Sequence, residues 1–192
     1  MELPKGFMIE DIDGGFALTA ALSCPLGQAR CLAMTAASWV RDAVGGEAYI
    51  LWPNHARLGE EDLCAITCRA TAENNIMLTF KPKVEVLPVS AEVFMERVVS
   101  AAVRDLEGFP ENRADLIQAY CEHCRTVMKF VNVTYSGMPL YGFAFAVDKH
   151  GGLMVMTQES RTVVTLYGGE AEIVKKREEP DGTPELPNMP GR

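Results

Sequence analysis

Apolar residues follow two rhythms along this chain, and the rhythm changes near residue 125. In the first part, helical stripes alternate with short apolar runs. Leu32, Thr35, Ala36, Trp39, Val40 and Ala43 recur at helical spacing within 28–44, and Gly45-Gly46 supplies a stop. Behind Ser90, a good N-cap, Val93, Phe94, Val98, Ala101, Ala102 and Leu106 form a second stripe that ends at Gly108 and Pro110. Asn112 is placed to cap a third helix, from Arg113 to about Glu122, with Leu116, Ile117 and Tyr120 facing inward. The run 16–22 predicts a strand closed by Pro25, and 48–52 a short buried strand. The runs 63–68 and 76–80 predict an antiparallel pair joined at Asn74-Asn75, with Pro82 and Pro88 limiting its edge. Residues 1–15 read as polar and end in a turn at 11–15; 56–61 reads as a turn.

From Thr126 to Val174 the signal is all strand. Val127, Phe130, Val131, Val133 and Tyr135 are followed by a turn at Ser136-Gly137, then by runs at 140–147, 153–156 and 163–166. A turn at 149–152 and the pair Gly168-Gly169 punctuate them. Short strands at regular spacing suggest a small barrel of the SH3 kind. From Lys175 to Arg192 there are charges, prolines and little that is apolar, so a disordered tail is expected. The fold class is α+β, with units at 1–125, 126–174 and 175–192.

Composition narrows the function little. The chain has 192 residues, 48% hydrophobic and 23% charged, ordinary for a globular protein. A formal net charge of −8 argues against a nucleic-acid surface, which needs a basic stripe. It suits a small-molecule or protein partner. The start lacks a basic region followed by an apolar core, and no apolar run is long enough to cross a bilayer, so a cytoplasmic protein is the expectation. Of the six cysteines, Cys121 and Cys124 form a lone CxxC around His123. A zinc site needs a second pair, so reduced, semi-buried thiols are expected and no metal.

The most unusual string is Leu51-Trp52-Pro53-Asn54-His55. Pro53 has no N–H for a sheet and stiffens the strand end. Asn54 just past it can donate and accept, which suits a ligand site. A buried tryptophan closing a strand before a turn is the competing structural reading.

The string resembles the Lys-Trp-Pro-Asn-Asp motif at the end of a central strand in biotin protein ligases. Trp52, Pro53 and Asn54 match; the lysine is Leu51 and the aspartate is His55. A second anchor lies in Gly142-Phe-Ala-Phe-Ala-Val-Asp148, Gly152-Leu153 and Gly168-Gly169-Glu170, which look like the family's closing pattern of a glycine, an aspartate turn, Gly-Ala-Leu and Gly-Gly-Glu. The order of strand, helix, motif strand, hairpin, two helices and small barrel covers roughly 15–174. The resemblance implies a ligase-like catalytic domain lacking its first strands, followed by an SH3-like barrel.

In that family the motif lysine contacts biotin and the adenylate, while the asparagine and aspartate sit by phosphates and metal. The family's Lys-Leu-Ala-Gly-Ile-Leu-Val-Glu strand is here Asp62-Leu-Cys-Ala-Ile-Thr-Cys-Arg69, so its lysine is Asp62, its glycine Ala65 and its glutamate Arg69. The glycine-rich strand end is Thr79-Phe-Lys-Pro-Lys83, and no Gly-Arg-Gly-Arg loop is present. Activating biotin with ATP builds charge on phosphorus that positioned cations must stabilise; losing one such group costs about 10²–10³ in rate. Lys81 and Lys83 are the obvious nearby cations, and both also fit a solvated strand edge.

The chain is then one of three things. It is a remnant of the ligase fold kept for binding or regulation, with no catalytic residue and a ligand site at Trp52, Pro53, Asn54, His55, Gly168 and Gly169. Or it is half of a split ligase, acting as a homodimer or with a complementary half that covers an open sheet edge. Or it is an intact enzyme in which His55 moves protons. ATP, biotin and a biotin carrier domain are implied only if ligase chemistry is retained.

Overall fold

Helical stripes and strand runs settle into twelve strands and three α-helices among the described residues of the computed structural model. Those residues are 2–22, 24, 27–71, 75–135, 137–168 and 170–174. In chain order they are β1 (Phe7–Ile12), β2 (Gly15–Ala21), α1 (Leu32–Val44), β3 (Tyr49–Leu51), β4 (His55–Leu58), β5 (Glu61–Asp62), β6 (Cys64–Ala70), β7 (Asn75–Pro82), α2 (Ala91–Glu107) and α3 (Arg113–His123). Then follow β8 (Lys129–Tyr135), β9 (Met138–Val147), β10 (Leu153–Thr157), β11 (Val163–Leu166) and β12 (Glu170–Ile173).

The first sheet is antiparallel, in the order β1-β2-β7-β6. Its strands alternate as a half-covered sheet should. Phe16, Leu18, Ala20, Ile66, Ile76, Leu78 and Phe80 are buried and share one core with the stripes of α1 and α2. Phe16 and Phe80 pair across strands with ring centroids 5.0 Å apart. Gly15 opens β2 where a side chain would fall on the Phe80 carbonyl, so the strand needs glycine there. Trp39 on α1 is buried and its indole N–H donates to Asp105 of α2 at 2.7 Å.

Three expectations need correction. Residues 7–12, read only as polar, form β1, which pairs with β2 through a turn at Asp13-Gly14, inside the expected turn at 11–15. Glu10 and Asp11 sit exposed on that edge strand, where charge is tolerated and masks the strand signal. Residues 56–61 are not simply a turn. A small sheet, β3-β4-β5, runs through them, with Ala56 buried and Arg57 paired to Asp62 across the ladder. Asn112 does not cap α3 with its side chain; its amide N–H donates to the Asp105 carbonyl at 2.9 Å instead. Ser90 does cap α2, accepting from the Val93 N–H at 3.4 Å.

The last five strands form one antiparallel sheet in the order β11-β10-β9-β8-β12. β12 was not foreseen. Pro25, Asn74, Ser136, Gly169 and the expected tail at 175–192 lie outside the described residues. Among the described residues no helix is long and apolar enough to cross a membrane.

Candidate functional site

The string 51–55 is tied down from four sides. At its entry, the Ile50 carbonyl accepts the Arg125 N–H at 2.8 Å, and the Trp52 N–H donates to the buried Thr126 hydroxyl at 2.9 Å. The Trp52 indole N–H donates to the Gly151 carbonyl at 3.2 Å, in the turn between β9 and β10. The Pro53 carbonyl accepts the Tyr120 hydroxyl of α3 at 3.1 Å, and the Trp52–Pro53 bond is cis. Asn54 donates its amide N–H to the Ile66 carbonyl at 3.0 Å, on the outer edge of β6. Trp52 is buried, as the structural reading expects.

Two spaces open on either side of Trp52. The larger is a cleft of about 700 Å³ lined by Leu51, Trp52, His55, Asp62, Arg125 and parts of β4 and β12. The positions that carry lysines in the ligase motifs, 51 and 62, therefore meet in one cleft together with His55. Asp62 accepts from Arg57 at 3.0 Å and lies 3.5 Å from His55 Nδ1. Burial works to raise the Asp62 carboxyl, but the Arg57 bond and the charges of Arg57, His55 and Lys83 outweigh it and hold it below its ordinary value. Arg125 lies 3.8 Å over the Tyr49 ring. The lining carries Glu60, Asp62 and Glu172 against Arg57 and Arg125, so carboxylates outnumber guanidinium groups.

The smaller space, about 200 Å³, is built by four separate segments: the 3-10 turn with Arg30 running into α1 with Met34, the motif with Trp52, Pro53 and Asn54, the turn with His150 and Gly151, and Tyr167-Gly168. Asp148 organises this corner. It accepts the N–H groups of His150 and Gly152, both at 2.8 Å, and the Tyr167 hydroxyl at 2.6 Å. Burial works to raise its carboxyl, but those three donors outweigh it and hold it below the ordinary range.

The candidate residues thus divide: Trp52 and His55, with Leu51 of the same string, line the cleft, while Trp52, Pro53, Asn54 and Gly168 line the small cavity. Gly169 lies outside the described residues. Sequence reasoning missed Arg30, Arg125, His150 and Tyr167, and Arg30, Arg125 and Tyr167 carry no local signal. The turn Asp148-Lys-His-Gly-Gly152 did carry one, because an aspartate before such a turn caps its N–H groups. Among the described residues no group of three His, Cys, Asp or Glu converges to hold a metal. Burial pushes the Cys121 thiol up to about 11 and Cys64 up to about 12, which leaves neither as a nucleophilic thiolate near neutral pH.

No family model and no curated protein matches the sequence. Solved structures do match in shape. The apo biotin protein ligase of Aquifex aeolicus superposes with a TM-score of 0.68 at 14% identity, over 84% of this chain and 84% of that one. The same enzyme in complex with biotin and ATP gives 0.60 at 11% identity, over 85% and 80%. A biotin protein ligase-like protein of unknown function from Silicibacter sp. TM1040 gives 0.64 at 13% identity, over 79% and 76%. With its strand order, its Trp-Pro-Asn turn and these superpositions, the chain has the fold of the biotin protein ligases.

Proposed function

We propose that this chain is a biotin protein ligase-like protein that has lost stand-alone biotin ligation and serves a binding or regulatory role. One observation carries the proposal: the cleft where motif positions 51, 55 and 62 meet holds Leu51, His55 and Asp62, and its carboxylates outnumber its cations. Arg57 is spent on Asp62. ATP phosphates would meet net negative charge where transfer chemistry needs positioned positive charge. His55 sits at the surface with Nδ1 3.5 Å from Asp62, a placement that packing beside a neighbouring carboxylate explains without a proton-shuttle role. Trp52, Pro53, Asn54, His55, Gly168 and Gly169 remain the ligand-binding candidates. Calorimetry with ATP and with biotin at submillimolar concentration tests this: neither gives an isotherm. A clear biotin isotherm would overturn it.

In this reading residues 1–125 are the ligase-like unit and 126–174 a small SH3-like barrel. The mutual pairing of β8 to β12 supports that division.

A second reading has support from the sheet edges. β1 and β6 both end the first sheet, and β6 has seven residues. A second copy or a complementary ligase half adding a strand there could supply the missing cations, with ATP, biotin and a biotin carrier domain as its ligands. Co-purification from the native host of one stoichiometric partner, which restores transfer when mixed with the chain, is the result this reading requires.

A further inference from the structure

The outer face of the C-terminal sheet carries an apolar row that the cleft and the cavity do not use. Phe130 on β8 pairs with Phe143 on β9, Phe143 with Met156 on β10, and Met156 with Val163 on β11. Residues paired across a ladder share a face, so the four stand side by side over four strands. Phe130, Met156 and Val163 are 48%, 43% and 53% exposed. Tyr141 stacks on Phe130 with ring centroids 5.9 Å apart. Beside Tyr141 runs a groove of about 400 Å³ between 138–141 and 157–160. Exposed apolar residues scattered singly are normal; a contiguous aromatic row beside a groove marks a docking surface.

We propose that this row is the docking site of the chain's own C-terminal segment, Pro184-Glu-Leu-Pro187-Asn-Met-Pro190. Three observations converge on that occupant. The prolines at 184, 187 and 190 repeat every third residue, the period that a polyproline II helix would set on one side. Proline-rich segments of that period dock on aromatic-lined grooves, because they are already extended and lose little entropy on binding. The chain also leaves the sheet at the right place: the Val174 N–H donates to the Phe130 carbonyl at 3.0 Å, so the backbone departs beside the first aromatic of the row. The lengths agree as well. Four strands at about 4.8 Å spacing span roughly 15 Å, and six steps of about 3.1 Å carry Pro184 to Pro190 over roughly 19 Å. The stretch 175–183 between them reaches at most about 30 Å, enough to turn back over the row.

Docking in the same chain has a direct chemical readout, because Met156 stands in the row and Met8 stands on β1, in the other sheet, at 55% exposure. Peroxide oxidises accessible methionines. The 192-residue chain and its triple variant P184A/P187A/P190A are exposed to dilute peroxide, and each methionine is followed by mass spectrometry. Met156 oxidises about threefold or more slowly in the wild type than in the variant, since a tethered segment acts at high effective concentration. Met8, already exposed, oxidises equally in both, which shows equal dosing, and Met34, 4% exposed in the core, stays protected in both, which shows that the variant remains folded. The protection is the same at low and high protein concentration. Equal rates at Met156 would overturn the proposal. Protection that grows with concentration would overturn it too, by assigning the row to another copy.

Discussion

Trp52 and Gly151 lie 99 residues apart and share a hydrogen bond: the buried indole N–H donates to the Gly151 carbonyl at 3.2 Å. The bond fastens the motif turn to the C-terminal sheet, and Trp52 lines both the cleft and the small cavity. Gly151 has φ +86°, and an added Cβ would crowd the Met34 sulfur at 2.7 Å. Gly151→Ala therefore destabilises by about 1–2 kcal/mol through the left-handed backbone, a fall in Tm of several degrees. Trp52→Phe keeps one aromatic ring but loses the indole N–H and the second ring, so it strands the carbonyl at about 1–3 kcal/mol and leaves a cavity that adds to this. Thermal unfolding of both checks this; an unchanged Tm in both would mean the turn is not a clamp.

The Trp39–Asp105 bond fastens α1 to α2 in the same way. Asp105→Ala leaves a buried indole N–H without its acceptor and costs about 1–3 kcal/mol. Asp105→Asn retains an oxygen acceptor and loses less. Denaturant titration of the two variants tests the order; an alanine variant as stable as the asparagine one would contradict it.

Acid sensitivity follows from Asp62 and Asp148, whose carboxyls are both held below the ordinary value of 3.8. A carboxyl depressed on folding binds fewer protons in the native than in the unfolded state. Its contribution is present above the unfolded value and is lost as pH falls through the folded one. Stability is therefore flat toward neutral pH from these two groups and declines below about pH 4. Asp148→Asn has a shallower decline there than wild type. An identical acid slope in the variant would remove Asp148 from the explanation.

Restoring charge to the cleft tests its present character. Leu51→Lys with Asp62→Lys places two cations at the motif positions and frees Arg57 from its partner. The double variant binds an ATP analogue about tenfold or more tightly than wild type, equal to about 1.4 kcal/mol. Calorimetry reads this; equal weak binding in both would show that charge at these positions does not govern the cleft.

How much of this was readable beforehand depends on how local the signal was. The stripe Leu32–Ala43 and the Ser90 cap are sequence-local, and both formed as expected. β1 was hidden because its edge carries Glu10 and Asp11, and β4 because Arg57 and Asp62 satisfy each other across strands that have little apolar alternation. Trp52, Pro53 and Asn54 stood out as a string, yet the string does not disclose that Asn54 spends its amide N–H on the β6 edge. Arg30, Arg125 and Tyr167 enter the site only through tertiary placement, so nothing in their neighbourhoods announced them.

The central claim concerns transfer itself. The purified chain is mixed with ATP, biotin and a biotin carrier domain, and biotin on the carrier is measured beside a working ligase. The acidic, lysine-free cleft predicts no transfer above the no-enzyme background while the control labels the carrier fully. Sustained labelling of the carrier by this chain alone would contradict it.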